Sequence, residues 1–356
     1  MLGQGGGRGF LDDVLIVGGL LLVQCVLAGY VVFVDHLLRL GADPLAVIAI
    51  AGAAFSAFFL PFAVVLERKK WPSKISSTLM AQFVLIALAG TTVFQELMLL
   101  GIKKTTPAIA SAMPNLSPGL IFIVAACFRM ERFDKACKYT QAKILGTLVC
   151  LVGAMAMSFL QRPPSSPASD LQASLATSSE LQGSSYYDWI LGCSYLFVAV
   201  IVLSFYTVLQ AVTLISFPAP LTMCTITSAM GAVFIAILQV FLEGKIDIGS
   251  PRIDATLISG IVILGGVLVG ACIVFQTWCL GKKGPLFVSI FGPVQTVCSA
   301  IFSAALFGQM VSLGSLAGIV LMFSGLYIVL WAKNNESLSD QLESGGGADV
   351  EKALLS

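Results

Sequence analysis

The chain has 356 residues, of which 57% are hydrophobic and only 11% are charged. A soluble globular domain carries about 25% charged residues, so this composition excludes an ordinary water-soluble protein and makes membrane lipids the expected surroundings. The formal net charge is +1, which provides no basic field for nucleic acid, and we expect no nucleic-acid partner.

Apolar runs of about twenty residues, each long enough to cross a hydrocarbon core of about 30 Å, follow one another along the chain. They predict an all-α membrane protein of about ten transmembrane helices in two groups of five. The first group is predicted near residues 14–34, 45–66, 79–101, 107–128 and 140–160. The second group is predicted near residues 189–212, 218–242, 257–280, 285–307 and 313–332.

These runs divide the chain into two repeats and three polar segments. We expect a cytosolic N-terminus (1–13), a first five-helix repeat (14–160), an extracytosolic polar linker (161–188), a second five-helix repeat (189–333) and a disordered cytosolic tail (334–356). The linker is rich in Ser, Pro, Ala and Gln, and it has too few apolar residues to pack into a core.

The placement of Lys and Arg predicts the orientation, because basic residues collect in cytosolic loops. With the N-terminus in the cytosol, 14 of the 20 Lys and Arg residues fall on the cytosolic side. Both termini are then cytosolic. An odd number of helices in each group further means that the second group enters the membrane inverted relative to the first.

A short motif supports two inverted repeats. A Phe-Gln pair followed by a Lys pair occurs twice, running from the third helix towards the fourth in each group: Phe94–Gln95 with Lys103–Lys104, and Phe275–Gln276 with Lys282–Lys283. Inverted repeats related by an axis in the membrane plane are a transporter architecture, with the substrate path between them near the midplane.

Polar side chains inside a membrane are costly, so those present are the candidates for the substrate path. The candidate substrate-binding residues are Gln24, Gln95, Asn115, Tyr206, Gln210, Gln276, Trp278 and Gln295. The amides and the indole N–H can bind polar groups of a solute, and the indole face can cover an apolar group. The alternative for the glutamines is that they join helices to one another.

Glu96 is the one acid that lies well inside an apolar run, which makes it the candidate for proton coupling. The alternative is a position near the interface, where it would pair with Lys103 or Lys104. Prolines around Asn115, and again from Pro285 to Pro293, predict interrupted helices that line a cavity. The alternative here is a kink that only serves packing.

Other chemistry has little support in the sequence. The chain contains one histidine, and its cysteines form no CxxC pair, so we expect no metal site and no cofactor. An intramembrane lipid-modifying enzyme would need acids, histidines or a nucleophile and its base at a common depth. A receptor would have no need of matching halves. We therefore expect a protein that is not an enzyme.

Several longer motifs carry a resemblance to a known family. They are 66–70 (LERKK), 110–118 (ASAMPNLSP), 128–131 (FRME), 217–221 (FPAPL), 276–279 (QTWC) with 282–285 (KKGP), and 291–295 (FGPVQ). The chain resembles the EamA-like drug/metabolite transporter superfamily, and within it the plant nodulin-like group, the usually-multiple-acids-move-in-and-out transporters.

The resemblance implies a secondary transporter or facilitator that moves amino acids or similar small organic solutes by alternating access, with each five-helix group an EamA-like repeat. Auxin or other organic acids are the alternative substrates. The resemblance favours the plasma membrane, with the tonoplast as the alternative, and it leaves open whether the protein forms a homo-oligomer.

Overall fold

The structure is a computed structural model that describes residues 5–71, 76–105, 113–128, 138–160, 179–243, 255–307, 317–318, 320–332 and 335. Within these ranges the protein is helical throughout and contains no β-strand. Helices satisfy their backbone hydrogen bonds within one segment, which is the requirement that a bilayer imposes. The predicted all-α membrane class is therefore confirmed.

Every predicted apolar run coincides with a helix over the residues that the structure describes. The first half contains α1 (Gly5–Arg39), α2 (Pro44–Glu67), α3 (Ser77–Lys104), α4 (Ser117–Cys127) and α5 (Lys138–Leu160). The second half contains α6 (Ser179–Ser216), α7 (Pro220–Glu243), α8 (Ala255–Lys283), α9 (Gly292–Phe307) and α10 (Val320–Ala332). In the described part, seven helical segments are long and apolar enough to cross a membrane, and two shorter apolar helices accompany them. The count of ten spans stays a prediction.

The third helix of each half contains a π-helical segment. In α3 it covers Leu88–Val93, and in α8 it covers Ile261–Leu268. A π-helical segment shifts the side chains that follow it around the helix axis, and such segments are frequent at functional sites. Each half therefore has an irregular helix at the same ordinal position.

The backbone is irregular in both of the proline-containing segments where interrupted helices are predicted. A 3₁₀ turn (Met113–Leu116) precedes α4, and a separate short helix (Pro285–Ser289) precedes α9. The side chain of Asn115 is buried, and its Oδ1 accepts a hydrogen bond of 3.2 Å from Thr296 Oγ1 in α9. The two interruptions are thus joined by a polar contact inside the protein.

The helices of the two halves pack in an exchanged pattern. Helix α2 packs along α7, while α3 packs on α6 and α8 packs on α1. Likewise α4 packs on α6 and α9 on α1, while α2 packs on α8 and α7 on α3. If α1 to α5 are exchanged with α6 to α10 in order, this set of seven contacts is reproduced. Most of the large interfaces of the described bundle therefore lie between the halves.

Helices α2 and α7 are antiparallel and are joined at both ends by carboxylates of α2. At one end, Asp43 Oδ2 accepts a hydrogen bond of 2.9 Å from Gln239 Nε2. At the other end, the buried Glu67 carboxylate accepts hydrogen bonds from Thr222 N (2.7 Å), Thr222 Oγ1 (2.8 Å) and Leu221 N (3.4 Å). Because these N–H groups begin α7 and have no partner within that helix, Glu67 caps it from outside.

Glycines bring α5 and α10 into backbone contact. A Cβ added to Gly325 would overlap the backbone N of Cys150 and the carbonyl oxygen of Gly146. A Cβ added to Gly153 would lie 2.6 Å from Met322 N. Small residues that allow such an approach are a common basis of helix association in membranes.

A pair of thiols provides a direct test of the packing of α1 on α9. Cys25 Sγ and Cys298 Sγ lie 3.5 Å apart, and a small rotation of the side chains would allow a disulfide. We expect copper-phenanthroline to cross-link the two halves. With a protease site inserted within residues 161–178, before α6, the halves should stay together after cleavage on a non-reducing gel and separate on a reducing gel. The Cys25→Ser protein should separate under both conditions, and separation of the oxidised wild type would contradict the packing.

Candidate functional site

A cavity of about 270 Å³ lies between the two halves. Its lining comes from α1, α2 and α8 on one side and from α3, α6 and α7 on the other. Helix α2 contributes residues 48–55 and the antiparallel helix α7 contributes residues 224–228, so the lining begins about one turn inside the first residue of each helix. A polar solute could therefore be held here within the depth of a bilayer.

One side of the cavity, which we call the apolar wall, is formed by α1, α2 and α8. It consists of Tyr30, Ile48, Ala51, Gly52, Phe55, Gly265, Val269, Gly270 and Ile273. Phe55 packs closely on α8, since a Cβ added to Gly270 would overlap its ring. Apart from the Tyr30 hydroxyl, the side chains of this wall offer only hydrocarbon to a bound molecule.

The other side, which we call the polar wall, is formed by α3, α6 and α7. It consists of Ile86, Gly90, Thr91, Gln95, Tyr206, Gln210, Cys224, Thr227 and Ser228. Gln210 Nε2 donates a hydrogen bond of 2.8 Å to the Tyr206 hydroxyl, which fixes both side chains. Amides and hydroxyls both donate and accept hydrogen bonds, so this wall suits a solute that carries donors and acceptors.

Two tyrosines occupy equivalent places in the cavity. Tyr206 of α6 rests on Gly90, within the π-helical segment of α3, where any Cβ would overlap the tyrosine ring. Tyr30 of α1 rests on Gly265, within the π-helical segment of α8, where a Cβ would lie 2.6 Å from the hydroxyl. Each tyrosine thus belongs to one half and packs against a glycine of the other half, where any larger residue would overlap it.

Further pairs of lining residues have the same sequence separation as Tyr30 and Tyr206. They are Ile48 with Cys224, Ala51 with Thr227, and Gly52 with Ser228. The helices that carry them match as well, because α2 and α7 both have 24 residues, begin with proline and end with glutamate. The two sides of the cavity are therefore built from corresponding positions of the two halves.

The structure brings three of the predicted substrate-binding residues together in this cavity. Gln95, Tyr206 and Gln210 all line it. They come from α3 and α6, which pack on each other across the two halves. Gln95 has no hydrogen-bond partner among the described residues, so its amide is available to a solute.

The other five predicted residues lie outside the cavity lining. Gln24 is fully buried in α1, and neither atom of its amide has a partner in the described structure. Asn115 bonds to α9 as described above. Gln276 and Gln295 are half-buried in α8 and α9, and Trp278 is 40% exposed, with the Lys282 ammonium 5.9 Å from the centre of its ring.

Glu96 is half-buried in α3 next to Gln95, but it does not line the cavity. Its predicted alternative partner, Lys104, forms an ion pair with Asp188 of α6 instead. The side chain therefore lies one position from a cavity residue without the expected interfacial ion pair to Lys104.

Sequence reasoning missed several residues that matter to this site. Tyr30, Thr91, Thr227 and Ser228 line the cavity, and none of them stands out in an apolar run that also contains many other hydroxyl residues. A signal was present in the constant separation that relates Tyr30 to Tyr206. That signal is recognisable only once both residues are known to face one cavity.

Comparison with known proteins decides the family. The profile of the EamA-like transporter family matches this chain twice, at residues 15–159 and 190–331. The chain belongs to the EamA-like transporter family. Members of this family are membrane transporters and not enzymes, so the expectation that the protein is not an enzyme is confirmed.

Individual relatives of this EamA-like transporter are plant proteins. A WAT1-related protein of Arabidopsis thaliana is 40% identical over 97% of this chain and 93% of its own length. The protein WALLS ARE THIN 1, also of Arabidopsis thaliana, is 33% identical over 91% of this chain and 84% of its own length. A solved crystal structure superposes with a TM-score of 0.65 over 90% of this chain and 98% of the other chain, at 16% identity. This last likeness shows the fold alone.

Proposed function

We propose that this EamA-like transporter moves amino acids or similar small organic solutes by alternating access of two inverted five-helix repeats. The observation that carries the proposal is the cavity between the halves, whose lining residues come in pairs from corresponding positions. The exchanged helix contacts and the double family match support the same two repeats. A site shared by two inverted repeats can be opened towards either side by rocking one repeat against the other.

The amino-acid assignment rests on the balance of groups in the cavity. An amino acid carries both hydrogen-bond donors and acceptors. Gln95, Thr91 and Ser228 can each donate a hydrogen bond to it and accept one from it. A cavity volume of about 270 Å³ is sufficient for a solute of the size of an amino acid. Within the family we propose the nodulin-like group, with auxin and other organic acids as the alternative substrates.

The proposal includes an orientation and a membrane. The placement of basic residues supports cytosolic termini, and the family resemblance supports the plasma membrane. Glu96 is the proposed proton-coupling residue, because it is an acid one position from Gln95 and lies within α3, a helix that would move with the polar wall.

The test is uptake of labelled amino acids and of labelled indole-3-acetic acid into proteoliposomes that contain the purified protein, with and without a proton gradient. We expect protein-dependent flux of at least one amino acid. Flux that the gradient does not change would identify a facilitator and remove the coupling role of Glu96. Flux of indole-3-acetic acid alone would establish the alternative substrate class.

Substitution of the two motif glutamines tests the assignment of the cavity. Gln95→Ala removes a cavity amide, and the loss of one solute hydrogen bond, about 1 kcal/mol, should lower initial uptake roughly five- to tenfold. Gln276 occupies the corresponding place in the repeated motif but lies outside the cavity, so Gln276→Ala should leave uptake near the wild-type value. Equal effects of the two substitutions, at equal amounts of reconstituted protein, would count against the cavity as the binding site.

A further inference from the structure

The two walls of the cavity correspond in position but differ in chemistry. Exchange of each helix for its counterpart carries α1, α2 and α8 onto α6, α7 and α3, so the apolar wall maps onto the polar wall. Of the paired lining residues, only the two tyrosines are alike. At the other pairs, the first half provides Ile48, Ala51 and Gly52, and the second half provides a thiol or a hydroxyl at each corresponding place.

The polar wall has hydrogen-bonding groups that the described protein does not use. Thr91, Gln95 and Ser228 have no hydrogen-bond partner among the described residues, whereas Thr227 Oγ1 donates to the carbonyl of Met223 in its own helix at 2.8 Å. Polar groups at a cavity surface within a membrane are stabilised when a bound molecule or water satisfies them. The three groups lie on α3 and α7, which pack against each other.

The apolar wall offers the opposite environment. Phe55 of α2, with Val269 and Ile273 of α8, presents hydrocarbon to the cavity, and α2 and α8 are packed together as α7 and α3 are. A polar group placed here would lose its hydration and find only the Tyr30 hydroxyl as a partner. An apolar group would instead be buried at a gain of about 25 cal/mol per Å².

We propose that the cavity holds its solute in one orientation, with the hydrogen-bonding end on the polar wall and the apolar end on the apolar wall. Thr91 and Ser228 are then specificity-determining residues that act together with Gln95, and Phe55, Val269 and Ile273 select the side chain of the solute. This inference rests on the proposed function for the identity of the solute. It adds that the cavity binds its solute in a single orientation, although the two walls are built from corresponding positions of the two halves.

Photolabelling measures this orientation directly. The probe is a leucine analogue with a diazirine in its side chain, added to the purified full-length protein in lipid nanodiscs. On irradiation the diazirine loses N₂, and the resulting carbene inserts into a neighbouring bond, so that mass spectrometry of a digest locates the apolar end. We expect label on residues 48–55 of α2 or 265–273 of α8, reduced by excess leucine. Label on the polar wall instead, or no cavity label that leucine reduces, would overturn the proposal.

Two neighbouring threonines provide a matched pair of variants. Thr91→Val removes a cavity hydroxyl at nearly constant shape, and the leucine concentration that halves the labelling should rise about fivefold, as expected for one lost hydrogen bond. Thr92→Val removes a buried hydroxyl that has no partner in the described part of the chain and does not line the cavity, and it should leave that concentration unchanged. An unchanged value for Thr91→Val would remove Thr91 from the specificity-determining set.

The same experiment separates this inference from the proposed function. If the wild type labels on the apolar wall and yet no panel solute is transported into proteoliposomes, the orientation stands and the transport assignment fails. If an amino acid is transported but the label lies on α3 or α7, the transport assignment stands and the orientation is wrong. The labelling of the wild type needs no substitution, so its result cannot be caused by misfolding of a variant.

Discussion

Gly325→Val is expected to prevent stable packing of α10 on α5. The glycine hydrogen faces the backbone of α5, and even a Cβ would overlap Cys150 N and the carbonyl oxygen of Gly146. Backbone atoms cannot rotate away as a side chain can, so the two helices must separate along the contact. Overpacking of a well-packed site costs about 1–3 kcal/mol, and we expect the upper end of that range here.

The measurement is the yield of monodisperse protein on size exclusion after detergent extraction, together with the midpoint of thermal unfolding. Gly18→Val is the matched control, because nothing lies within 4 Å of a Cβ added to Gly18. The control should behave as the wild type in both assays. A Gly325→Val protein with wild-type yield and unfolding midpoint would mean that α5 and α10 are not in backbone contact.

Glu67→Ala should destabilise the protein by about 3 kcal/mol, because it leaves buried N–H groups at the start of α7 without an acceptor. The carboxylate accepts two hydrogen bonds from Thr222 and one from Leu221, and Thr222 Oγ1 also accepts a hydrogen bond of 3.1 Å from Trp71 Nε1. The substitution therefore disturbs the connection between the end of α2 and the beginning of α7. Thermal unfolding in detergent measures the effect.

Two further variants show whether the effect belongs to the capping contact. Glu67→Gln keeps one acceptor oxygen and should fall between the wild type and Glu67→Ala. Asp35→Ala removes a carboxylate from an exposed ion pair with Arg39, and such pairs contribute about 0–1 kcal/mol, so it should change little. Equal destabilisation by Glu67→Ala and Asp35→Ala would show that Glu67 is not a buried cap.

The positions of the helices could be predicted from the sequence because the signal is local. Twenty consecutive apolar residues are enough to indicate a span, and each predicted run coincides with a helix wherever the structure describes its residues. The prolines around Asn115 and near Gly292 likewise indicated interrupted helices, since proline cannot donate a backbone hydrogen bond. Orientation and the number of spans remain predictions.

The composition of the site could be predicted only in part, because the direction in which a side chain faces depends on distant helices. Gln95 and Gln276 occupy matching places in a repeated motif, yet only Gln95 reaches the cavity. Glu67 directly follows the predicted run 45–66, and its burial arises because the first turn of α7 covers it. Lys143 is one of the 14 basic residues that the sequence predicts on the cytosolic side, but its side chain is completely buried in the bundle.

The exchanged packing of the helices also sets the order in which this protein can assemble during synthesis. When the ribosome has completed α5, the helices that form the largest interfaces with α1 to α4 have not yet been made. Helix α1 packs mainly on α9, α2 on α7, and α3 and α4 on α6. Until those helices enter, the principal interfaces of the first repeat are covered by lipid or by the insertion apparatus. Arrival of α6 provides a surface for both α3 and α4, and the cavity can close only after α8 has entered.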